Sequence, residues 1–519
     1  MKAMDNTIVG AASGETVQCT APKDSQSQAK EQKSNDNKIV ILLFYEIGCI
    51  QSHFLLPNVL VNNIKIVSTG GAKKLATKEL KRDLKNRHVQ LIAIGGTIGT
   101  GLFLGSGKSI QLAGPSIIFT YLLVGISLFF VMRALGELLL SNSSYTSFTD
   151  FASDYIGPWA GFITGWTYWF CWIMTAMADI IAVGVYMQYW FDIPQWVPAL
   201  ICLVILLGLN LLTVKLFGEL EFWFAIIKVI TIIALIVVGI VLLAIGFQTH
   251  SGTVSVTNLW SHGGMFPHGV SGFLFSLQMV VFAFVGVELV GVSAAETANP
   301  QKNIPSAINK IPIRILLFYV GALFVILSIN PWDELSASSS PFVEVFSLIG
   351  IPVAAGIINF VVLTSAASAC NSGLFSTSRI LYNLSSNKLA HHKFSILNKN
   401  HVPSNALVTS AVVLSVGALL SKVVPEQAFT IVTTISAICF IWVWSIILIS
   451  HIRYSKKRPD LRSKSTFKAP LTPFINYVVL TLFIFILIVM LFAVDTRVPL
   501  LLTPIWFILL TLIYKSLKK

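Results

Sequence analysis

The chain has 519 residues, 55% of them hydrophobic and only 11% charged, with a formal net charge of +13. Soluble domains carry about 45–50% apolar and about 25% charged residues, so an ordinary soluble enzyme and a disordered chain are both excluded. Beyond residue 88 the apolar runs are as long as a bilayer core is thick, roughly 20 residues each, with no polar stretch between them long enough for a globular domain. The sequence reads as an all-α polytopic membrane protein.

Residues 1–71 stand apart from the membrane domain of residues 72–519. Residues 1–38 are polar and expected to be disordered. Residues 39–61 are apolar but interrupted by Glu46, Gln51, His53 and Pro57. A span there would carry the lysines ahead of it outward, so an interfacial segment, or an extension read from an upstream start codon, fits better. Twelve spans follow, at about 89–112, 116–141, 159–190, 196–214, 219–246, 270–293, 311–330, 342–384, 404–421, 427–451, 473–494 and 498–515.

Lysine and arginine collect in alternate loops: ahead of the first span (Lys73 to Arg87), at Lys215, at Lys302 to Arg314, at Arg379 to Lys399, at Arg453 to Lys468, and at the C-terminus. The opposite loops hold Lys422 and Arg497, with Lys108 near an outer helix end. The positive-inside rule therefore puts both termini in the cytoplasm, which requires an even number of spans. The basic residues report topology and give no reason to invoke a nucleic-acid partner. The six cysteines lack CxxC spacing, and the nine histidines form no HExxH or intramembrane cluster, so no metal and no cofactor is expected.

Span 1 contains Gly95, Gly96, Gly99, Gly101, Gly105 and Gly107, poor material for a continuous helix at about 1 kcal/mol per glycine. A break frees backbone N–H groups at the start of the outer half-helix, whose positive dipole end attracts a carboxylate. Span 6 repeats the pattern with Phe282, Ala283, Phe284, Val285, Gly286, Val287 and Glu288. The bland reading is close helix packing through glycine. Two interruptions at matching positions point instead to a midplane binding site between inverted halves, as in secondary transporters. A ligand carboxylate suits such a site: it meets the N–H groups of Thr97, Ile98, Gly99, Thr100 and Gly101, while carbonyls near Phe282, Ala283 and Phe284 can accept from a ligand donor.

The segments HVQLIAIGGTIGTGLFLGSGKSIQLAGPS (88–116), MRALGEL (132–138), EFWFAIIKV (221–229), FAFVGVELVGVSAAETANPQKNIPSAI (282–308) and VLTSAASACNSGLFSTSRILY (362–382) resemble the bacterial amino acid permeases of the amino acid–polyamine–organocation superfamily. Residues 157–180 and 329–346 are most similar to its D-serine/D-alanine/glycine:proton symporter branch. The resemblance covers about 75–519 and implies a LeuT-like five-plus-five inverted repeat, with helices 1 and 6 broken and two further helices. It also implies an inner-membrane symporter that imports small neutral amino acids with protons.

Lys228 lies about ten residues into span 5, roughly 14 Å deep. It either snorkels to the interface or acts within the membrane. In related proton-driven permeases a lysine of this span replaces a coupling cation beside spans 1 and 8, so the resemblance implies a proton carrier or fixed cation. Asp179 is a candidate for coupling or for lining the pocket. Glu137 has Arg133 one turn away, an ion pair or a gate. Glu288 is either a helix-stabilising partner of the break or a ligand. Thr364, Ser365 and Ser368 line the site or bond back to their own helix. The aromatic run Trp166 to Trp172 reads as packing and anchoring. The alternatives are a permease of the same family for aromatic amino acids or gamma-aminobutyrate, and a non-transporting amino acid sensor.

Overall fold

In the computed structural model the described residues are 7–9, 16–18, 98–142, 145, 147–212, 214–249, 252–289, 300–350 and 352–517. The chain divides into two units, Met1–Thr77 and Lys78–Lys519. In the first, Thr7–Val9 and Thr16–Gln18 pair antiparallel, Thr7 opposite Gln18. The β-branched Thr7, Ile8, Val9, Thr16 and Val17 favour that pairing within a stretch expected to be disordered.

The second unit is a helical membrane domain. Its main helices are α1 (Thr100–Phe103), α2 (Gly105–Ala113), α3 (Ile117–Ser141), α4 (Phe148–Tyr155), α5 (Pro158–Met187), α6 (Trp196–Leu212), α7 (Val214–Ile245), α8 (Gly269–Ala283) and α9 (Pro300–Asn309). After α9 come α10 (Ile311–Arg314), a π-helical stretch (Ile315–Gly321), α11 (Ala322–Ile329), α12 (Pro341–Leu348), α13 (Pro352–Ser386), α14 (Ser404–Val423), α15 (Pro425–Lys457), α16 (Phe474–Phe492) and α17 (Val494–Leu517). Nine helical runs among the described residues are long and apolar enough to cross a bilayer, and α6 and α8 are shorter apolar helices. The protein is a multi-pass, all-α membrane protein.

Two elements differ from the sequence expectation. The run 342–384, read as one long span, is cut into α12 and α13, because Gly350 takes a φ of +80° and Pro352 starts a new helix. Between the second and third spans lies α4, with Ser147 as its N-cap and Asp150 closing a capping box back to the Ser147 N–H.

Helix α5 is buried on nearly every side and packs against α13, α15, α14 and α6. Small residues permit the close approach: a Cβ on Gly373 of α13 would stand 2.8 Å from the Ala176 Cβ of α5, and one on Gly417 of α14 2.7 Å from Met177 Cγ. Helices α16 and α17 lie at the periphery, with Phe474, Leu501, Ile508 and Leu512 facing outward, as lipid-exposed helices require. Helix α7 is sided. Glu221, Ala225, Lys228, Ile232 and Leu235 are buried at a spacing of three and four residues, while Trp223 and Ile230 point out at 59% and 60% exposure. Its one buried stripe thus carries both a lysine and a glutamate into the core.

Candidate functional site

The start of α1 and the end of α8 lie against each other; the residues beyond them in spans 1 and 6, 89–97 and 290–293, lie outside the described residues. Helix α1 starts at Thr100 with Gly99 as an extended N-cap, and the Gly99 carbonyl accepts from the N–H groups of Leu102 and Phe103. The N–H groups of Thr100 and Gly101 precede the first helical bond and have no partner within the helix. Helix α8 ends at Ala283, and residues 284–288 run through successive turns with Gly286 at a φ of +96°. A Cβ on Gly101 would lie 2.5 Å from the Ala283 Cα and 3.1 Å from the Phe282 ring. Glycine at 101 is what lets the start of α1 touch the end of α8.

A cavity opens at this contact. Gly99, Thr100 and Gly101 line it from α1, and Phe282, Ala283 and Val285 from the α8 break. Trp172, Thr175 and Asp179 of α5, Glu221 and Lys228 of α7, and Ala369 and Ser372 of α13 complete the wall. The cavity volume, counted over water centres, is about 20 Å3, room for one or two waters. An amino acid enters only if the walls part.

Its polar wall is held by hydrogen bonds between helices. Thr100 Oγ1 donates to Asp179 Oδ1 at 2.7 Å, tying the α1 start to α5. Lys228 is 2% exposed, so it is held in the core and does not snorkel. Its Nζ donates to Ser368 Oγ at 3.2 Å. Ser368 Oγ donates to Glu221 Oε2 at 2.9 Å, and Asn371 Nδ2 donates to Glu221 Oε1 at 3.1 Å. Asn210 Nδ2 of α6 reaches Asn371 Oδ1 at 2.7 Å. The Asp179 and Glu221 carboxylates both lie within electrostatic range of the Lys228 ammonium.

Sequence reasoning did not single out Glu221, Asn371, Asn210, Trp172 or Thr175 as site residues. Glu221 had a visible signal: it stands seven residues, two helical turns, before Lys228 in one apolar run. Of the expected residues, Gly99, Thr100, Gly101, Phe282, Ala283, Lys228 and Asp179 line the cavity. Ile98 is buried beside the α1 start but is not part of the wall, and Thr97 lies outside the described residues.

Phe284 turns away and stacks on Tyr319, ring centroids 4.7 Å apart. The Ala283 carbonyl, an expected acceptor for a ligand donor, is reached by Tyr319 Oη at 3.4 Å. Glu288 also stands off the cavity. Its Oε2 accepts from the Gly286 N–H at 3.1 Å and its Oε1 from Tyr168 Oη at 3.4 Å, so it braces the break. Thr364 shows the second of its two expected arrangements: its hydroxyl donates to the Val361 carbonyl at 2.9 Å, and it is not among the residues of the cavity wall. The inward face of α13 runs through Ser365, Ser368 and Ser372, and Thr364 is rotated about 100° from Ser365.

Glu137 takes other partners than its helix neighbour Arg133. His451 Nε2 of α15 lies 2.9 Å from Glu137 Oε2, the Ala469 N–H donates to the same oxygen at 2.6 Å, and Arg462 Nε is 3.4 Å from Oε1. Asn476 Nδ2 of α16 lies 2.9 Å from His451 Nδ1, which directs the Nε2 proton at Glu137. Arg133 instead donates to Asn309 Oδ1 and the Lys468 carbonyl and lies over the Phe467 ring. Glu137 and His451 are fully buried. His451→Ala is expected to lower stability in detergent by roughly 3 kcal/mol, because it strips a buried carboxylate of its neighbour. Thermal melts of the two purified proteins check this; an unchanged melting temperature contradicts it.

Comparison with known proteins agrees with this architecture. The family profile described as "Amino acid permease" matches residues 88–519. Amino-acid permease AapA of Bacillus subtilis (strain 168) is 61% identical over 84% of this chain and 95% of its own length. The "Uncharacterized transporter YdgF" of the same organism is 62% identical over 85% of this chain and 96% of its own. The D-serine/D-alanine/glycine transporter of Escherichia coli (strain K12) is 54% identical over 87% of this chain and 97% of its own. Its relatives are transporters, and the chain is a transporter and not an enzyme: it belongs to the amino acid permease family.

Proposed function

We propose that the protein imports small neutral amino acids, glycine, D-alanine and D-serine, across the cytoplasmic membrane together with protons. The carrying observation is the buried lysine, Lys228, within electrostatic range of two carboxylates in the wall of a cavity formed where the start of α1 and the end of α8 touch. In this reading the chain has twelve spans with both termini cytoplasmic, arranged as a LeuT-like five-plus-five repeat with two extra helices. The substrate carboxylate sits at the N–H groups of Thr100 and Gly101, where the partial positive end of α1 meets it. The substrate ammonium sits toward the carbonyls at the end of α8. Because these handles are backbone atoms, recognition depends weakly on the substrate side chain.

Phe282 and Trp172 bring aromatic bulk to the wall, and the cavity is narrow. The 54% identity to a D-serine/D-alanine/glycine transporter supports the small-substrate branch. Coupling to a proton is supported by Lys228 itself: its ammonium supplies a positive charge inside the site that needs no metal ion, and a lysine can lose its proton once buried.

Competition in proteoliposomes tests the substrate class. Unlabelled D-serine and D-alanine are expected to suppress labelled glycine uptake by about tenfold or more at an excess of roughly 100 times the Kd. Phenylalanine and gamma-aminobutyrate are expected to leave it unchanged. Suppression by phenylalanine alone would keep the transporter and overturn the substrate.

A further inference from the structure

The network beneath the cavity contains a second carboxylate that the binding of an amino acid does not use. Glu221 is 3% exposed and lies about 10 Å from Lys228 along α7, toward the helix start that the charge distribution places on the cytoplasmic side. Its two oxygens are treated differently. Asn371 Nδ2 holds Oε1 at 3.1 Å, and Asn371 is fixed in turn by Asn210 at 2.7 Å. Oε2 accepts from the Ser368 hydroxyl, whose oxygen accepts from the Lys228 ammonium. The chain Nζ–H to Oγ–H to Oε2 is unbroken, with links of 3.2 Å and 2.9 Å.

On the other side Asp179 is tied to the α1 start through Thr100, and its Oδ2 is buried without a hydrogen-bond partner. Among the described residues, the charged groups within electrostatic range of Glu221 are Lys228 on its own helix and Asp179 on α5. Asp179 is thus hydrogen-bonded to the α1 start, whereas Glu221 is hydrogen-bonded to Ser368 and Asn371 of α13.

We propose that Glu221 is the group that receives the coupling proton from Lys228, through the Ser368 hydroxyl, on its way to the cytoplasm. An Nζ–H bond breaks as that proton joins Ser368 Oγ. The original Ser368 O–H bond breaks as Oε2–H forms on Glu221. An ammonium and a carboxylate become a neutral amine and a carboxylic acid, so no charge is left unbalanced in the core. Asn371 is a positioning residue: it occupies Oε1 and leaves Oε2 to take the proton. The inference rests on the proton-symport reading and names the route by which that coupling is completed.

The test compares wild type, E221Q, S368A and E221D in proteoliposomes by two measurements. One is exchange of labelled glycine at equal pH on both sides. The other is glycine accumulation under an inward proton gradient, with an internal dye reporting acidification. E221Q and S368A are expected to lower the ratio of accumulation to exchange at least tenfold and to abolish the acidification, with E221D recovering part of both. A wild-type ratio and normal acidification in both variants overturn the relay. Accumulation and exchange falling in equal proportion also overturn it, since that is what a purely structural glutamate gives. If E221Q does not fold, S368A decides alone, because it removes one hydroxyl and no charge. Wild-type protein that neither accumulates glycine nor acidifies the lumen defeats the symport reading itself, a result separable from failure of the relay.

Discussion

Lys228→Ala is expected to abolish accumulation of substrate against its gradient. The Lys228 ammonium is the cation within electrostatic range of both Asp179 and Glu221, and the Ser368 hydroxyl bridges it to Glu221. Removing one member of a buried charge cluster leaves the others uncompensated, at a cost of about 3–5 kcal/mol. That corresponds to a loss of roughly two to four orders of magnitude in any equilibrium that needs both carboxylates ionised. Without the Lys228 ammonium the chain through Ser368 to Glu221 has lost its donor, so the imposed gradient has no lysine to act through. Uptake in proteoliposomes, normalised to the amount of monodisperse protein, measures this. Gradient-driven accumulation at the wild-type level would contradict it, and would return Lys228 to a packing role.

Gly101→Ala is expected to abolish substrate binding through geometry alone. The new methyl would meet the Ala283 Cα at 2.5 Å, and that atom is backbone with no rotamer to relieve it. The start of α1 and the end of α8 must then separate. The N–H and carbonyl groups proposed to clasp one zwitterion lose their common distance, and a misplacement near 1 Å costs on the order of 10²-fold. Gly208→Ala is the matched control. Nothing lies within 4 Å of its added methyl on the outward side of α6, and alanine raises helix propensity by about 1 kcal/mol. Ligand-induced thermal shift with glycine reads both: none for Gly101→Ala, a wild-type shift for Gly208→Ala. Binding retained in Gly101→Ala would mean that the two breaks do not jointly hold the substrate.

The helix ends at Thr100 and Ala283 were legible because they are written in local chemistry. Glycine runs in an apolar segment announce a poor helix wherever they occur, and Gly101 and Gly286 lie where the backbone needs them. Lys228 was legible because a charge within an apolar run is costly anywhere. Partners were much less legible. Glu137 has Arg133 one turn away, yet it pairs with His451, 314 residues along the chain. Asn210 and Asn371 are 161 residues apart, and a lone asparagine in an apolar run says nothing about whom it meets.

Thr364 stands off the cavity wall for a subtler reason. One residue along α13 is a rotation of about 100°, so hydroxyls at 364 and 365 serve different faces. Only packing against α5 and α7 selects the face of 365, 368 and 372. Glu221 was within reach of the sequence. Two charges of opposite sign, two turns apart in one apolar helix, belong to a single buried stripe.

Uptake of labelled glycine and D-alanine into proteoliposomes under an inward proton gradient, in sodium-free buffer, tests the central claim most directly. The account predicts accumulation above equilibrium that collapses when a protonophore is added. Uptake that stops at equilibrium whatever the gradient, or that accumulates only when sodium is supplied, would contradict proton symport through the Lys228 network.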